Sequence, residues 1–539
     1  MGGRWIGALA LLVAVAGLAP AAARAADPTA PGSLDATFAG RGVLRTSLGV
    51  REAVPIDMAV LPGRRILLLG AGSVVGRLTV GGRPDRRFAN GGHTRIALGG
   101  DGNDALTALA PAPGGRTVLA GHQRVDRLAV VRLLGNGSFD PKFGRNGRVI
   151  RDTQGQVYGA DVTVAPDGGI DVAAIEYSGF PEAQRLLVAS LTRTGAPRPG
   201  TGDEGIVTLP LPAPVSYASQ VFLMRARDGR LRVVIELGEE GREGLFLIGL
   251  TPDGRPDESV GAGGVRLLRA AFSGALSGAA MDAGDRIVLA ARAGSDRRPR
   301  LAVMRTSANG DPDPRFGAGG LAQVALVRGD EPGRLATADD GRVAVALTHR
   351  PRRGHARPGV VLLRANGAPA RLFGRRGRLL VTALGSRHDA TGTQVGFDAQ
   401  ERLVLAGEAG DGLSDIREDL GRDWAVLARL RLRRADVRFA PTARVSRHGV
   451  ALLEVRCRPQ AFGCTGTVTL GRASLRARAR MSAAPRQPFV LRFALGRAGR
   501  LLAERGSTVR LVANVAAAGR LDDIALPVRL VARERRSRR

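Results

Sequence analysis

The chain has 539 residues, long enough for more than one domain and a sizeable core. Its net charge is +31, carried almost wholly by arginine because Lys142 is the only lysine, so part of the arginine is compositional background. Such a charge would ordinarily point to nucleic acid. The six histidines are scattered, and the two cysteines have no partner set for zinc.

Residues 1–25 read as an export signal. Arg4 supplies the positive start, Ile6 to Ala19 the apolar run, and Ala23-Arg24-Ala25 the small-residue cleavage site. The run falls short of the roughly 20 apolar residues of a membrane span, and nothing later resembles one. The expected product begins near Ala26, is secreted or held at the cell surface, lacks a transmembrane segment and is a monomer. An exported protein of this kind is not expected to bind nucleic acid.

From residue 32 onward one turn is written seven times. The copies start at Gly32, Gly82, Gly137, Gly195, Gly254, Gly310 and Gly367, with GSFDPKFGRNGR from Gly137 as a clear example. A fixed period of this size signals a repeat architecture. Each period carries four short apolar segments rich in Val, Leu and Ile, and turns such as PDGG at 166–169 separate the middle two. Each unit therefore reads as a four-stranded antiparallel meander, and seven of them are best closed radially, which hides edges and apolar faces together. The prediction is an all-β chain: a seven-bladed β-propeller with four strands per blade over 26–433, followed by a small β-sandwich. The segment DWAVLARLRL, 423–432, precedes no eighth copy, and Gly42–Thr46 is the stretch expected to pair with it.

Within the turn the aspartates Asp35, Asp85, Asp140, Asp257 and Asp313 sit where a carboxylate accepts backbone N–H groups. The phenylalanines Phe38, Phe88, Phe143, Phe316 and Phe373 sit where one aromatic per blade can wedge between sheets. Seven equivalent sites suit structure better than one asymmetric catalytic centre. The pattern G-x-x-D-x-x-F-G-x-x-G, followed by a strand and a hairpin, resembles the delta-60 repeat family of bacterial exported proteins over Gly32 to Arg433. It departs from that pattern at Arg198 and Thr201, and again at Ala370. The resemblance implies a propeller-like, extracellular protein and brings no catalytic residues.

After Arg433 the period stops. Alternating short segments over 434–533 suggest an immunoglobulin-like β-sandwich, and 534–539 a basic tail. Cys457 and Cys464 are expected to form a disulfide that clips a short loop, contributing roughly 2.5 kcal/mol by chain entropy. From Arg434 to Arg539 there are 23 arginines against 6 acidic residues, so this last fifth carries over half of the excess charge. Arg476, Arg478 and Arg480 alternate with Ala, so on a strand they share one face and become candidates for anion binding.

Enzyme motifs are missing: no HExxH, no GxSxG and no GKS/T loop occur. Tyr177 and Phe180, in IEYSGFPEAQ, mark the one asymmetric aromatic loop and are a candidate ligand site. Glu176, Glu236 and Asp282 are non-repeating carboxylates of the kind a metal-binding channel would use. The leading expectation is a non-catalytic binding scaffold without cofactor, metal or catalytic residues, whose partner is a protein or an anionic cell-surface polymer. The alternative is a channel enzyme, a metal-dependent hydrolase or lactonase-like protein.

Overall fold

The computed structural model describes residues 30–532, apart from 50–52, 101–102, 179–182, 212–216, 240–241, 269–275, 385–387, 411–423, 433–436, 458–463, 473–474, 484–487 and 518–519. The signal-peptide and basic-tail expectations, and Phe180, lie outside the described residues. Six four-stranded antiparallel sheets span 55–95, 105–152, 156–210, 217–268, 276–325 and 330–380, here blades 1 to 6. The first strand of every blade packs against the first strands of both neighbours, which closes them into a ring around a central channel.

Blade 7 joins the two ends of the propeller. Its first strand is broken into Asp389–Ala390 and Gln394–Phe397; Leu403–Gly410 and Trp424–Leu430 follow. The outer strand is Val43–Thr46, antiparallel to Trp424–Leu430 with Val43 opposite Ala428. The expected sharing of a blade by the two ends is therefore observed. One correction follows for all seven units. The strand after each turn closes the preceding blade, so sequence repeat and blade are out of phase by one strand.

The strand pattern follows from burial. Second and third strands are covered on both sides, so Ile66–Gly70 and Val74–Leu78 are buried throughout, and continuous apolar runs result rather than alternation. The core is consequently divided into seven layers, one between each pair of blades. The layer between blades 7 and 1 combines Phe38, Ile66 and Leu68 with Val404 and Leu427.

The repeated turn is the fastener between these layers. Asp85, Asp140, Asp257 and Asp313 each accept the N–H two residues on, at 3.2, 3.0, 3.2 and 3.0 Å, as the sequence implies. Their second partner is a buried arginine: Arg77 at 2.9 Å, Arg132 at 3.0 Å, Arg232 at 2.8 Å and Arg305 at 2.8 Å respectively. In blades 1, 2 and 5 the guanidinium also lies over the phenylalanine of the same turn, at 4.7, 4.6 and 4.5 Å. The same arginines reach into the next blade, where Arg77 donates to the carbonyl of Gly135 and Arg305 to that of Ala365, at 2.5 and 2.9 Å. Phe38, Phe88, Phe143 and Phe316 are 0 % exposed and Phe373 1 %. The glycine that opens the next turn makes room for this ring. A Cβ on Gly82 would lie 2.7 Å from Phe38, and one on Gly195 2.9 Å from Phe143. Each turn thus ties its own blade to the following one.

Two copies depart from the pattern without losing the contact. In blade 3 the charges are exchanged: Arg198 replaces the aspartate and binds Asp171, 0 % exposed, at 2.9 Å. In blade 6 both partners are apolar, with Ala370 donating its N–H to the carbonyl of Leu362.

Beyond the propeller, eight strands from Val437–Phe439 to Arg520–Ala532 form the small sandwich around its own core. Thr442–Val445 pairs antiparallel with Val450–Cys457 and parallel with Arg520–Ala532, so one short strand joins the two halves. The helix Gly496–Glu504 closes one end. Cys457 and Cys464 are bonded, as expected, and both are buried.

Candidate functional site

Arg476, Arg478 and Arg480 stand exposed on one face of Leu475–Ala483, while Ala477 between them turns into the core. The strand register fixes what lies beside them. Arg476 is opposite Gly471, which is opposite Arg510; Arg478 is opposite Thr469, which is opposite Val512. Gly471 presents no side chain, so the Arg476 and Arg510 side chains flank an open slot. This face borders the propeller. Arg510 donates to the carbonyl of Ala36, in the first repeated turn, at 2.7 Å. The resulting groove encloses about 1090 Å³ and is lined by Arg476, Arg478 and Arg510, with Ala36 and Gly40 on the propeller side. No carboxylate lines it among the described residues. Arg480 lies on the same face outside the groove.

The second candidate is the channel. Every first strand in blades 1 to 6 breaks register once, in its first half, for example between Pro55 and Asp57, Tyr158 and Asp161, and Pro332 and Leu335. Such bulges re-aim side chains, and here they send polar ones inward. At the mouth is a cavity of about 530 Å³ whose walls come from five blades, through Ile56, Gln220, Ser277, Arg334 and Gln394 among others.

Asp57 and Asp161 lie in the throat. Asp57 accepts the N–H of Met58 and, across the blade boundary, of Leu109, at 2.8 and 2.9 Å. Asp161 repeats this with Val162 and Leu223, both at 2.8 Å. Burial pushes the Asp57 carboxyl up to about 6, the N–H groups pull it back only partly, and the charge of Asp161 adds to the rise. Burial raises Asp161 as well.

A folded-state value above the unfolded 3.8 makes the ionised form a burden on the native state. The Asp57 contribution is therefore most favourable below about pH 4 and is lost as pH rises to about 6, roughly 3 kcal/mol in all. Asp57→Asn should flatten the stability profile between pH 4 and 6. Melting both proteins across that range checks this, and an unchanged slope in the variant would remove Asp57 as the source.

The other sequence candidates have structural partners. Glu176 accepts the N–H groups of Gln154 and Gly155 at 2.7 and 3.2 Å, and Glu236 that of Leu276 at 3.1 Å. Asp282 pairs with Arg286 at 2.8 Å. Among the described residues no three His, Cys, Asp or Glu side chains converge. Tyr177 lies edge-on to Tyr158 at 5.5 Å, and Tyr158 edge-on to His122 at 5.9 Å. Tyr158, missed as a site residue, is 41 % exposed on the first strand of blade 3.

The chain matches no family model and no curated protein. Among solved structures it is similar to the polysaccharide lyase Uly1, at 10% identity and a TM-score of 0.40, covering 72% of this chain and 99% of that one. It is also similar to a glucose dehydrogenase, at 15% identity and a TM-score of 0.34, over 60% of this chain and 95% of that one. An endo-arabinase from Bacteroides thetaiotaomicron is similar at 11% identity and a TM-score of 0.27, over 59% and 91%. Likenesses at this level carry nothing about activity.

Proposed function

We infer that the chain is an exported, non-catalytic binding scaffold of the delta-60 repeat type that holds an anionic cell-surface polymer through its sandwich. The observation that carries this reading is the arginine-lined groove of about 1090 Å³ with no lining carboxylate. Guanidinium groups bind carboxylate and phosphate with two parallel donors and stay charged at every physiological pH. An immunoglobulin-like reading of the sandwich is supported by the short strand Thr442–Val445, which runs parallel to the last strand. In this reading it is the adhesive part and the propeller the rigid platform.

The test is binding of the exported protein to long-chain polyphosphate and to polygalacturonate at two salt concentrations. Arg476→Glu with Arg478→Glu is expected to weaken binding at least tenfold, and the native affinity to fall with salt as screened charges require. Equal affinity in the variant, or no salt dependence, would overturn the reading. Binding of only one polymer identifies which anion the groove takes.

A further inference from the structure

The channel mouth contains an arginine whose charge the fold does not use. Arg334, in the first strand of blade 6, lays its guanidinium over Phe222 of blade 4 at 4.7 Å. Among the described residues no carboxylate oxygen comes within 4.0 Å of that guanidinium. Asp57 and Asp161 act on it through space, while their oxygens accept backbone N–H groups. Those aspartates are clips between blades 1 and 2 and blades 3 and 4.

Three further features surround the free fork. Thr393 keeps its hydroxyl buried with no hydrogen-bond partner, and it lines the same cavity as Arg334. Gln394 donates its amide to the carbonyl of Ile56 at 2.7 Å, which fixes the side chain and leaves its own carbonyl oxygen available. Gln220 extends into the cavity from blade 4. These groups line a space of about 530 Å³, inside the range of small-molecule sites, together with Arg292 and with Glu331, whose carboxylate is paired with Arg350 at 3.0 Å.

Leu276 and Pro332, immediately before the bulges of blades 5 and 6, line the cavity. Tyr158 holds the corresponding place before the bulge of blade 3. Its hydroxyl donates to Gln156 at 2.8 Å, and its edge contacts with His122 and Tyr177 set the ring plane. Blade 3 is not among the blades that line the cavity, whose walls are aliphatic and polar.

We propose that the channel mouth binds a small hydroxylated carboxylate of one or two sugar units, with Arg334 taking the carboxylate and Thr393, Gln394 and Gln220 the hydroxyls. The site goes beyond the anionic groove and is independent of it: the groove lies against the first repeated turn, the mouth at the opposite ends of the first strands.

The experiment is calorimetric titration of the exported protein with digalacturonate, with cellobiose and acetate as the neutral-sugar and bare-carboxylate controls. Digalacturonate is expected to bind at least tenfold more tightly than either control. Arg334→Gln should abolish that preference. Thr393→Val, which keeps shape, should weaken it by a smaller factor and serves if the Arg334 variant melts early. The titrations are repeated in the Arg476→Glu with Arg478→Glu protein, where the groove no longer contributes, and the preference for digalacturonate should persist there. No binding of digalacturonate, binding equal to a control, a preference retained by Arg334→Gln, or its loss in the Arg476 and Arg478 variant would each overturn the assignment.

Discussion

Asp35→Ala is expected to lower the stability of the propeller by about 3–5 kcal/mol, the cost of leaving a buried ion pair half-made. Asp35 is 0 % exposed and takes Arg402, Arg429 and Arg431, each at 2.9 Å. Burial works against its charge, and the three guanidiniums overcome this to hold its carboxyl below the usual range. Arg402 keeps Asp398 at 2.8 Å when Asp35 is lost, and Arg429 keeps the carbonyl of Val80 at 2.6 Å. Neither contact replaces the lost carboxylate for Arg429, which is 1 % exposed. The same residue anchors the N-terminal turn against blade 7, so its loss also loosens Val43–Thr46. Asp85→Ala is the control. Asp85 pairs with one buried arginine, Arg77, at 2.9 Å and with the half-exposed Arg65 at 3.6 Å, so its loss should cost less. Denaturant unfolding followed by the first transition measures both, since a two-part chain need not unfold in one step. Equal losses would show that closure at Asp35 has no special weight.

Arg198→Asp should be comparably damaging, by about 3–5 kcal/mol, because it sets a second carboxylate against the buried Asp171. Asp171 also holds Arg225 at 2.9 Å and the Ser190 hydroxyl at 2.7 Å, so it cannot withdraw. The informative variant is the exchange, Arg198→Asp with Asp171→Arg. Asp171 is the second residue of its strand, as Arg232 is in blade 4, where Arg232 meets Asp257 at 2.8 Å. The exchanged blade 3 would reproduce that arrangement, and should recover at least half of the loss. Arg225 would then face a like charge, which keeps recovery incomplete. No recovery on denaturant unfolding would mean that the pair is held by its surroundings rather than by its complementarity.

These pairs show where sequence reasoning reached and where it stopped. Blade number, strand number and the roles of Asp140 and Phe143 follow from spacing and residue chemistry alone. The arginine partners were legible and overlooked: Arg77, Arg132 and Arg305 stand eight residues before Asp85, Asp140 and Asp313. An arginine-rich composition hides such a period, because a functional arginine looks like background. The exchange at Arg198 reads as decay for the same reason, since Asp171 lies outside the turn. The phase between repeat and blade was legible at the join, where Gly42–Thr46 is expected on the last unit, but did not carry to the other units, because a periodic sequence has no marked origin. Val43 opposite Ala428 and Ile206 opposite Ala189 show the same phase. The channel was the least accessible. Arg334 and Asp161, from blades 6 and 3, come within electrostatic reach there, and a one-residue break in register leaves no trace in a short strand of mixed composition. The face shared by Arg476, Arg478 and Arg480 was legible because an unbroken strand alternates strictly, but Arg510, from a distant strand, was not.

The closing of blade 7 by Val43–Thr46 has a consequence in time. Asp35 is made 394 residues ahead of Arg429, an interval of roughly 20–80 s at ordinary synthesis rates of about 5–20 residues per second. Throughout it the nascent chain is an open arc. Its leading strand has no mate, and the layer that will join the first and last blades is bare on one side. Shortened chains keep that defect permanently, with a free sheet edge ready to pair with a neighbour. Completeness is thus registered by the fold itself, since only a chain that has reached Arg431 can bring its beginning and end together.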